Sequence, residues 1–431
     1  MGAGVRSTTR PRDCPGYPRL WTASTVSDFG SYITALALSL LLVKTLNASA
    51  AEVGLVNAAR WVSYLLFGLL VGVFVDRRRR LPLLVATDIG SAVLLGVIPV
   101  LAAVGGLSVP VVIALMVPFG LLSLVNDAAS MSFLPRLVPP PALETANVQL
   151  QQSASAAQTA GPLVGGGLVA WLGPPLTIVV DAVSYLFSGL LLATIRVVEP
   201  PPSSSPRRRV FVELREGVAW VYRHPMLRPM ALSTHGWFLF NSMLLTVFAP
   251  FAVRVAGVSS FGLGVAYAGA GLGGVVGTAV SARAGRLIGP GRTVVLAQAL
   301  FPVAFTLIVL APHGGPAVVL VTAGLSVFGF AVGLGSPIEQ TYRQAVTPDR
   351  LQGRMVATIR SFNWGMNAIG GPVGGVLADT IGYRRTLWIG TAGVAAMAVW
   401  LGCSRFRRIT LADMVPAPSP SGGEVSRPTG P

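Results

Sequence analysis

The sequence predicts an all-α membrane protein, with twelve transmembrane helices arranged as two six-helix pseudo-repeats. Three observations predict it. Of 431 residues, 52% are hydrophobic and only 11% charged, whereas a soluble protein carries about 25% charged residues. The mean hydropathy of +0.67 therefore describes a surface that faces lipid. The apolar residues gather into twelve stretches, each long enough for the roughly 20 residues a helix needs to cross a bilayer. The arginines fall between those stretches and gather on one side. The formal charge of +16 is thus a topology signal and not a nucleic-acid footprint. Two cysteines, Cys14 and Cys403, cannot build a disulfide framework or a metal site. A soluble enzyme, a DNA-binding domain and a secreted disulfide scaffold are excluded together.

Residues 1–19 form a polar cytoplasmic tail with Arg6, Arg10, Arg12 and Arg19. It lacks the apolar core and small-residue cleavage site of a signal peptide, so the run from Leu20 is expected to stay in place as the first span. The N-terminal half, 20–195, holds spans near 20–43, 52–75, 82–104, 108–132, 145–172 and 174–195. A middle loop at 196–228 starts Pro/Ser/Arg-rich, from Glu199 to Arg209. From Val210 to Arg223 it continues as an amphipathic helix, because Phe211, Leu214, Val218 and Val221 recur at helical spacing. The C-terminal half, 229–404, holds spans near 229–253, 261–284, 292–311, 316–340, 355–380 and 386–404. The tail at 405–431 is expected to be disordered.

Positive loops stay in the cytoplasm. With the N-terminus inside, the inner face collects Arg77 to Arg80, Arg136, Arg196, Arg207 to Arg209, Arg215, Arg223, Arg228, Arg283, Arg286, Arg292, Arg343, Arg350 and Arg354. The outer face keeps only Lys44, Arg254, Arg384 and Arg385, while Arg60 and Arg360 fall within spans. Both termini are expected in the cytoplasm of a bacterium, with the chain in its inner membrane.

The halves echo each other. Gly161-Pro162-Leu163-Val164-Gly165-Gly166 precedes Gly371-Pro372-Val373-Gly374-Gly375 by 210 residues. A second echo pairs Gly72…Arg80-Leu81 with Gly277…Arg286-Leu287 and sets Ser281 against Asp76. Six spans repeated in parallel, joined by a long loop, is an architecture in which transporters rock one half against the other.

The chain resembles the major facilitator superfamily, most closely its bacterial twelve-helix drug and natural-product exporters, the macrolide-efflux and enterobactin-exporter branch. The resemblance covers about residues 20 to 404. It rests on Gly72-Val-Phe-Val-Asp76 with Arg77 to Arg80, on Ser132-Phe133-Leu134-Pro135 followed by Ala146-Asn147, and on the Gly161-Pro162 motif. Ala182-Val-Ser184-Tyr185-Leu186 and Arg360 with Trp364-Gly365 add to it. Arg79 stands where members often place glycine, Ser63 where they place proline, and Ala157 replaces a glycine of the antiporter signature.

A carboxylate at Asp76 can face the N-terminus of another helix and accept from its unpaired N–H groups, and Arg77 and Arg80 can bind carboxylates or carbonyls nearby. The resemblance implies that Gly72, Asp76, Arg77 and Arg80 latch the inner gate. Pro162 removes a helix hydrogen bond, and Gly161, Gly165 and Gly166 permit close approach of a neighbouring helix. The eighth span offers Gly269, Gly271, Gly273, Gly274 and Gly277 as a matching surface. Gly161, Pro162, Gly165 and Gly166 and their copies Gly371, Pro372, Gly374 and Gly375 are candidate hinges.

Charges within spans are costly and point to function. Asp28, beside Ser27 and Ser31, is the first candidate for proton coupling, with Asp127 and Glu339 after it. Arg60 and Arg360 are the expected cationic partners, and Asp88 and Asp181 read as structural. A small-molecule cavity is mostly apolar with a few polar points. Its candidate lining is Arg60, Asn126, His235, Trp237, Phe238, Asn241, Phe328, Phe330, Arg360 and Trp364.

The expected function is a secondary active transporter that exports an amphipathic small molecule, such as a drug, an antibiotic or a siderophore-like natural product. It would work by alternating access and proton antiport. The chain has no phosphate-cradling Gly-x-x-x-x-Gly-Lys-Ser/Thr sequence, and no cofactor or metal is implied. The expected partners are the small-molecule substrate, protons and the lipid bilayer, around a monomer with no nucleic acid. An importer of the same fold, or a permease or sensor subunit acting through a protein partner, are the alternatives. A membrane enzyme is disfavoured, because His224, His235 and His313 are scattered.

Overall fold

The structure is a computed structural model that describes residues 11–68, 70–197, 199 and 208–414. The tail at 1–10, the Pro/Ser/Arg stretch at 200–207 and the tail at 415–431 lie outside the described residues.

In the N-terminal half the helices are α1 (Tyr17–Leu40), α2 (Ala50–Phe67), the short α3 (Val71–Asp76), α4 (Arg80–Ala103), α5 (Val109–Leu137), α6 (Pro140–Leu172) and α7 (Pro174–Ala193). Then come α8 (Arg208–Arg223), α9 (Leu227–Pro250), α10 (Ser260–Ile288), α11 (Pro290–Val309), α12 (Gly315–Val346), α13 (Asp349–Ile381) and α14 (Tyr383–Cys403). No strand occurs among the described residues. The second span is expected to be continuous over 52–75, but it breaks after Phe67. Gly68 sits where a Cβ would strike Tyr64 O and Ser361 Oγ, so the turn needs its bare backbone.

Local signals set the starts. Ser49 and Glu52 form a reciprocal capping box at α2, with Ser49 Oγ accepting from Glu52 N at 3.2 Å and Glu52 Oε2 accepting from Ser49 N at 2.7 Å. Proline occupies the first turn of α5, α6, α7, α11 and α12, where its missing N–H costs nothing. His224 Nδ1 accepts from the amides of Met226 and Leu227 at the start of α9, and its burial lowers its pKa toward the neutral ring that this needs.

The repeat is exact in packing. In the first half α1 packs on α6 and α7, α5 on α2 and α4, and α4 on α7; in the second half α9, α10, α11, α12, α13 and α14 pair in the same five ways. Both α1 and α9 end in a five-residue π turn, Leu41–Thr45 and Phe251–Val255, and a capping serine, Ser49 or Ser259, opens the next helix. Helix starts Ala50 and Ser260 lie 210 residues apart, as do Arg80 and Pro290. That register corrects the second sequence echo. Arg286 ends α10 while Arg80 begins α4, and Ser281 lies inside α10, donating to Leu334 O at 2.8 Å. The unbroken α10 and the broken second span cannot share the expected alignment.

Nine helices of the described chain carry a window long and apolar enough to cross a membrane, and α2, α6 and α13 do not. All three lie at the seam between the halves, where α2 packs against α13 and α6 against α10. Part of their polar content lines the cavities, Asn147 and Gln151 of α6 the first and Arg360 and Asn363 of α13 the second.

The hydrophobic core is distributed unequally. At the end of the bundle poor in arginine, one continuous cluster joins both halves, from Leu36, Leu40 and Val53 to Phe248, Leu263 and Phe305. At the arginine-rich end the core divides. One cluster around Phe133 belongs to the first half, and two around Leu227 and Met355 belong to the second.

The expected tail from 405 begins as folded chain. A 3-10 turn, Arg405–Arg408, inserts Phe406, which is 1% exposed, between Leu227, Val294 and Tyr342. Ile409 is buried in the same cluster, and its carbonyl accepts from Gly291 N. The amphipathic helix α8 packs on α13 and α9 through Val221 and Trp220, and Trp220 Nε1 donates to Thr347 Oγ1 at 3.2 Å. The side chains of Phe211 and Leu214 lie outside the described part.

Candidate functional site

The seam is built from backbone at its arginine-poor end. A Cβ on Gly54 would strike Gly371 O and Pro372 Cα, and one on Gly375 would strike Ala50 O and Ala51 Cα. On the other pair of helices, Gly264 meets Pro162 O and Gly166. Polar bonds cross here too. Asp379 of α13 accepts from Ala50 N at 2.9 Å and Ala51 N at 2.8 Å, capping α2 from the opposite half. Lys44 donates to Ser260 Oγ at 2.8 Å, and Arg254 donates to Ala48 O at 2.7 Å. Lys44 and Arg254 are the fourth residues of equivalent π turns, so each half reaches into the other.

At the arginine-rich end each half encloses a cavity. The first, about 310 Å³, lies among α1, α4, α5, α6 and α7 and is lined by Asp28, Asp88, Asn126, Asp127, Gln151 and Ser188. The second, about 400 Å³, lies among α9, α11, α12 and α13 and is lined by Trp237, Gln298, Phe301, Glu339, Arg360 and Trp364, among others.

One ion pair connects them. Arg360 of α13 binds Asp127 of α5 at 2.5 Å, and Tyr64 of α2 donates to the same Asp127 oxygen at 2.9 Å. Around it Trp61 meets Trp364 with centroids 4.2 Å apart, Tyr64 stacks on Trp364 at 5.4 Å, and the Arg360 guanidinium lies 5.8 Å from the Trp364 ring. An arginine between a carboxylate and an aromatic face uses both its charge and its planar π surface.

The predicted residues separate by position. Asp28 lines the first cavity, and no hydrogen bond or salt bridge reaches its carboxylate among the described residues. Asp127 is committed to Arg360, and Glu339 to Arg343 at 2.9 Å. Asn126 also lines the first cavity, but its amide donates to Thr87 Oγ1 and Asp88 Oδ1, at 2.8 and 2.7 Å. Asp88 accepts from Ser188 as well, at 2.5 Å. Trp237, Phe238, Arg360 and Trp364 line the second cavity, but Asn241, His235, Phe328, Phe330 and Arg60 line neither. Phe328 packs behind Trp237 and Phe301, and Arg60 lies over Trp61 and Phe119.

The glycines divide in the same way. Gly161 and Gly165 face α1, and only Gly166 meets α10. Gly269, Gly273 and Gly277 receive α12, while Gly271 takes Thr159 of α6. The glycine stripe of the eighth span therefore serves packing within its half more than the seam. Gly370 and Gly374 face α9, and α6 and α13 run as helices through Pro162 and Pro372. Gly72 is exposed, and a Cβ there would meet nothing within 4 Å. The Asp76 side chain lies outside the described part. At this end the helix-capping carboxylate is Glu199, which accepts from Arg80 N at 2.8 Å and Leu81 N at 2.9 Å. Arg80 is buried beneath it, and Arg77 caps α3.

Sequence reasoning missed Asp379, Glu199, Tyr64, Trp61, Gln298 and Asn363. Trp61 with Tyr64, and Arg360 with Trp364, stand at helical i,i+3 and i,i+4 spacing, a signal that two aromatic-bearing helices could meet. Nothing local marks Asp379, because its partner is a helix start more than three hundred residues away.

The sequence model of the Major Facilitator Superfamily matches residues 20–370. The multidrug efflux pump Tap of Mycolicibacterium fortuitum is 27% identical over 84% of this chain and 89% of its own length. The MFS-type transporter y4rN of Sinorhizobium fredii is 28% identical over 85% of this chain and 88% of its own. Among solved structures, the nucleoside transporter NupG in its D323A form superposes with a TM-score of 0.71 at 12% identity, covering 90% of this chain and 99% of that one. A bacterial homolog of the human lysosomal transporter Spinster, inward-facing and unoccupied, gives 0.65 at 17% identity, covering 94% and 99%.

Proposed function

The chain belongs to the major facilitator superfamily and is a multi-pass membrane transporter, not an enzyme, and from that premise we propose that it exports an amphipathic small molecule by proton antiport. In this reading it works as a monomer in the bacterial cytoplasmic membrane, with both termini and the arginine-rich end in the cytoplasm.

The observation that carries the reading is the unequal core. An apolar cluster closes both halves together at the arginine-poor end, while at the other end the core divides and each half holds a cavity of its own. A substrate enters from the cytoplasm in this state, and rocking of the halves about the seam exposes it outside. The likeness to an efflux pump over most of both chains supports the direction.

Two carboxylates divide the coupling. Asp28 takes the proton, because its charge is not committed to a cation. Asp127 holds Arg360 across the seam, and neutralising it would release the guanidinium and let the halves separate there. Proton binding and gate opening thereby share one cavity.

The test uses Nile red, a neutral amphipathic dye, in bacterial cells that express the full chain, with and without a protonophore. Wild-type cells are expected to accumulate several-fold less dye than vector cells, and the protonophore to abolish the difference. Asp28→Asn should raise accumulation to the vector level while the protein remains in the membrane. Wild-type behaviour of Asp28→Asn across pH 6 to 8 would remove Asp28 from the coupling role, and an inert wild type would reject export of such molecules.

A further inference from the structure

The second cavity has its charges already neutralised and its uncharged polar groups unsatisfied. Glu339 is bound by Arg343 at 2.9 Å, and Arg360 by Asp127 at 2.5 Å. Gln298 is only 5% exposed, and its carbonyl Oε1 is buried with no hydrogen-bond partner; Trp237 Nε1 is buried without a partner in the same wall. Burying an amide oxygen or an indole N–H with nothing to bond costs about 1–3 kcal/mol. Such groups usually await a partner.

Asn363, on the facing helix α13, is held differently. It is 6% exposed, its Oδ1 lies 2.6 Å from His235 Nδ1, and its amide nitrogen has no partner among the described residues. A carbonyl oxygen only accepts, so His235 Nδ1 carries the proton. His235 Nε2 is then the acceptor, and the Tyr222 hydroxyl of α8 lies 2.8 Å from it. With Oδ1 held by His235, the end of the Asn363 amide left for the cavity is the N–H₂ end, and the Tyr222 hydroxyl steadies the imidazole from its other side. One wall offers a donor and the facing wall an acceptor, between the rings of Trp237, Phe301 and Trp364.

We propose that this cavity is the substrate site and that it selects uncharged, ring-bearing molecules with a donor beside an acceptor, as in a carboxamide or lactam. The substrate carbonyl accepts from Asn363 Nδ2, and its N–H donates to Gln298 Oε1. His235 and Tyr222 are positioning residues. A cation is disfavoured, because the only carboxylate lining this cavity among the described residues, Glu339, is already paired with Arg343. The assignment rests on the transport reading above and adds the chemical class to it.

Three probes of one shape test it by isothermal titration on the purified full chain in lipid nanodiscs: 2-naphthamide, methyl 2-naphthoate and 2-naphthylmethylammonium. The amide is expected to bind tightest. Gln298→Met should weaken the amide by about fivefold and leave the ester, which has no N–H, unchanged. Asn363→Leu should weaken both; if it does not purify in folded form, Gln298→Met alone carries the result. Tyr222→Phe, which does not line the cavity, should narrow the preference for amide over ester at an unchanged melting temperature. Tightest binding by the ammonium, no binding by any probe, or amide affinity unchanged in Gln298→Met would overturn the proposal. Proton-dependent exclusion of Nile red persisting under any of those results would leave the export reading standing, so the two can fail separately.

Discussion

At the arginine-poor end, α2 and α13 touch through backbone, Gly54 against Gly371 and Gly375 against Ala50, with Asp379 on the α2 N-terminus. At the other end the same two helices meet through long side chains, Trp61 on Trp364, with Tyr64 and Arg360 around Asp127. The first contact resembles a packed interior, where an added methyl group has nowhere to go. The second leaves space beside it and is held by charge, so a proton or a ligand can change it. A transporter needs both: one end that closes without adding water-filled gaps, and one whose closure answers to what is bound.

The contrast can be broken most strongly at the glycine contact. Gly375→Leu places a branched side chain against Ala50 O and Ala51 Cα, so the arginine-poor end cannot close, and Nile red efflux should fall by about tenfold or more. Near-normal efflux from a folded Gly375→Leu protein would mean the backbone contact is not needed.

A smaller effect is expected from Asp379→Asn, which keeps the shape and removes the charge from the α2 N-terminus. The loss should be about 1 kcal/mol, or about fivefold toward an open arginine-poor end. It can be read with Trp364→Cys in a Cys14→Ser, Cys403→Ser background, as the rate of labelling by an impermeant maleimide added outside. An unchanged rate would show that Asp379 caps a helix without latching the halves.

The smallest effect belongs to the ion pair. Its side chains are 33% and 42% exposed, so solvent screens it, and the coupling between Asp127→Asn and Arg360→Gln should be about 0.5–1 kcal/mol in a thermal double-mutant cycle. A coupling above about 3 kcal/mol would make this end as rigid as the other and erase the distinction.

Much of this was legible before any coordinates. The twelve spans, the central amphipathic helix and the halves are read from apolar runs and arginines, because each depends on residues close in sequence. The break after Phe67 was not, because Gly68 looks like any other glycine until Ser361 lies beside it. Asp28, Asp127 and Glu339 were found as intramembrane charges, but their chemistry differs. Asp28 has no hydrogen-bond or ion-pair partner among the described residues, Asp127 is shared between halves, and Glu339 is paired within its own helix.

The sequence by itself determined that the chain is a helical membrane protein and that its halves repeat, since hydropathy and charge act through composition along a helix. Only the tertiary structure decided which end is shut, which glycines face the seam, and which polar atoms are left without partners. Those depend on contacts between residues hundreds of positions apart, whose geometry no local pattern encodes.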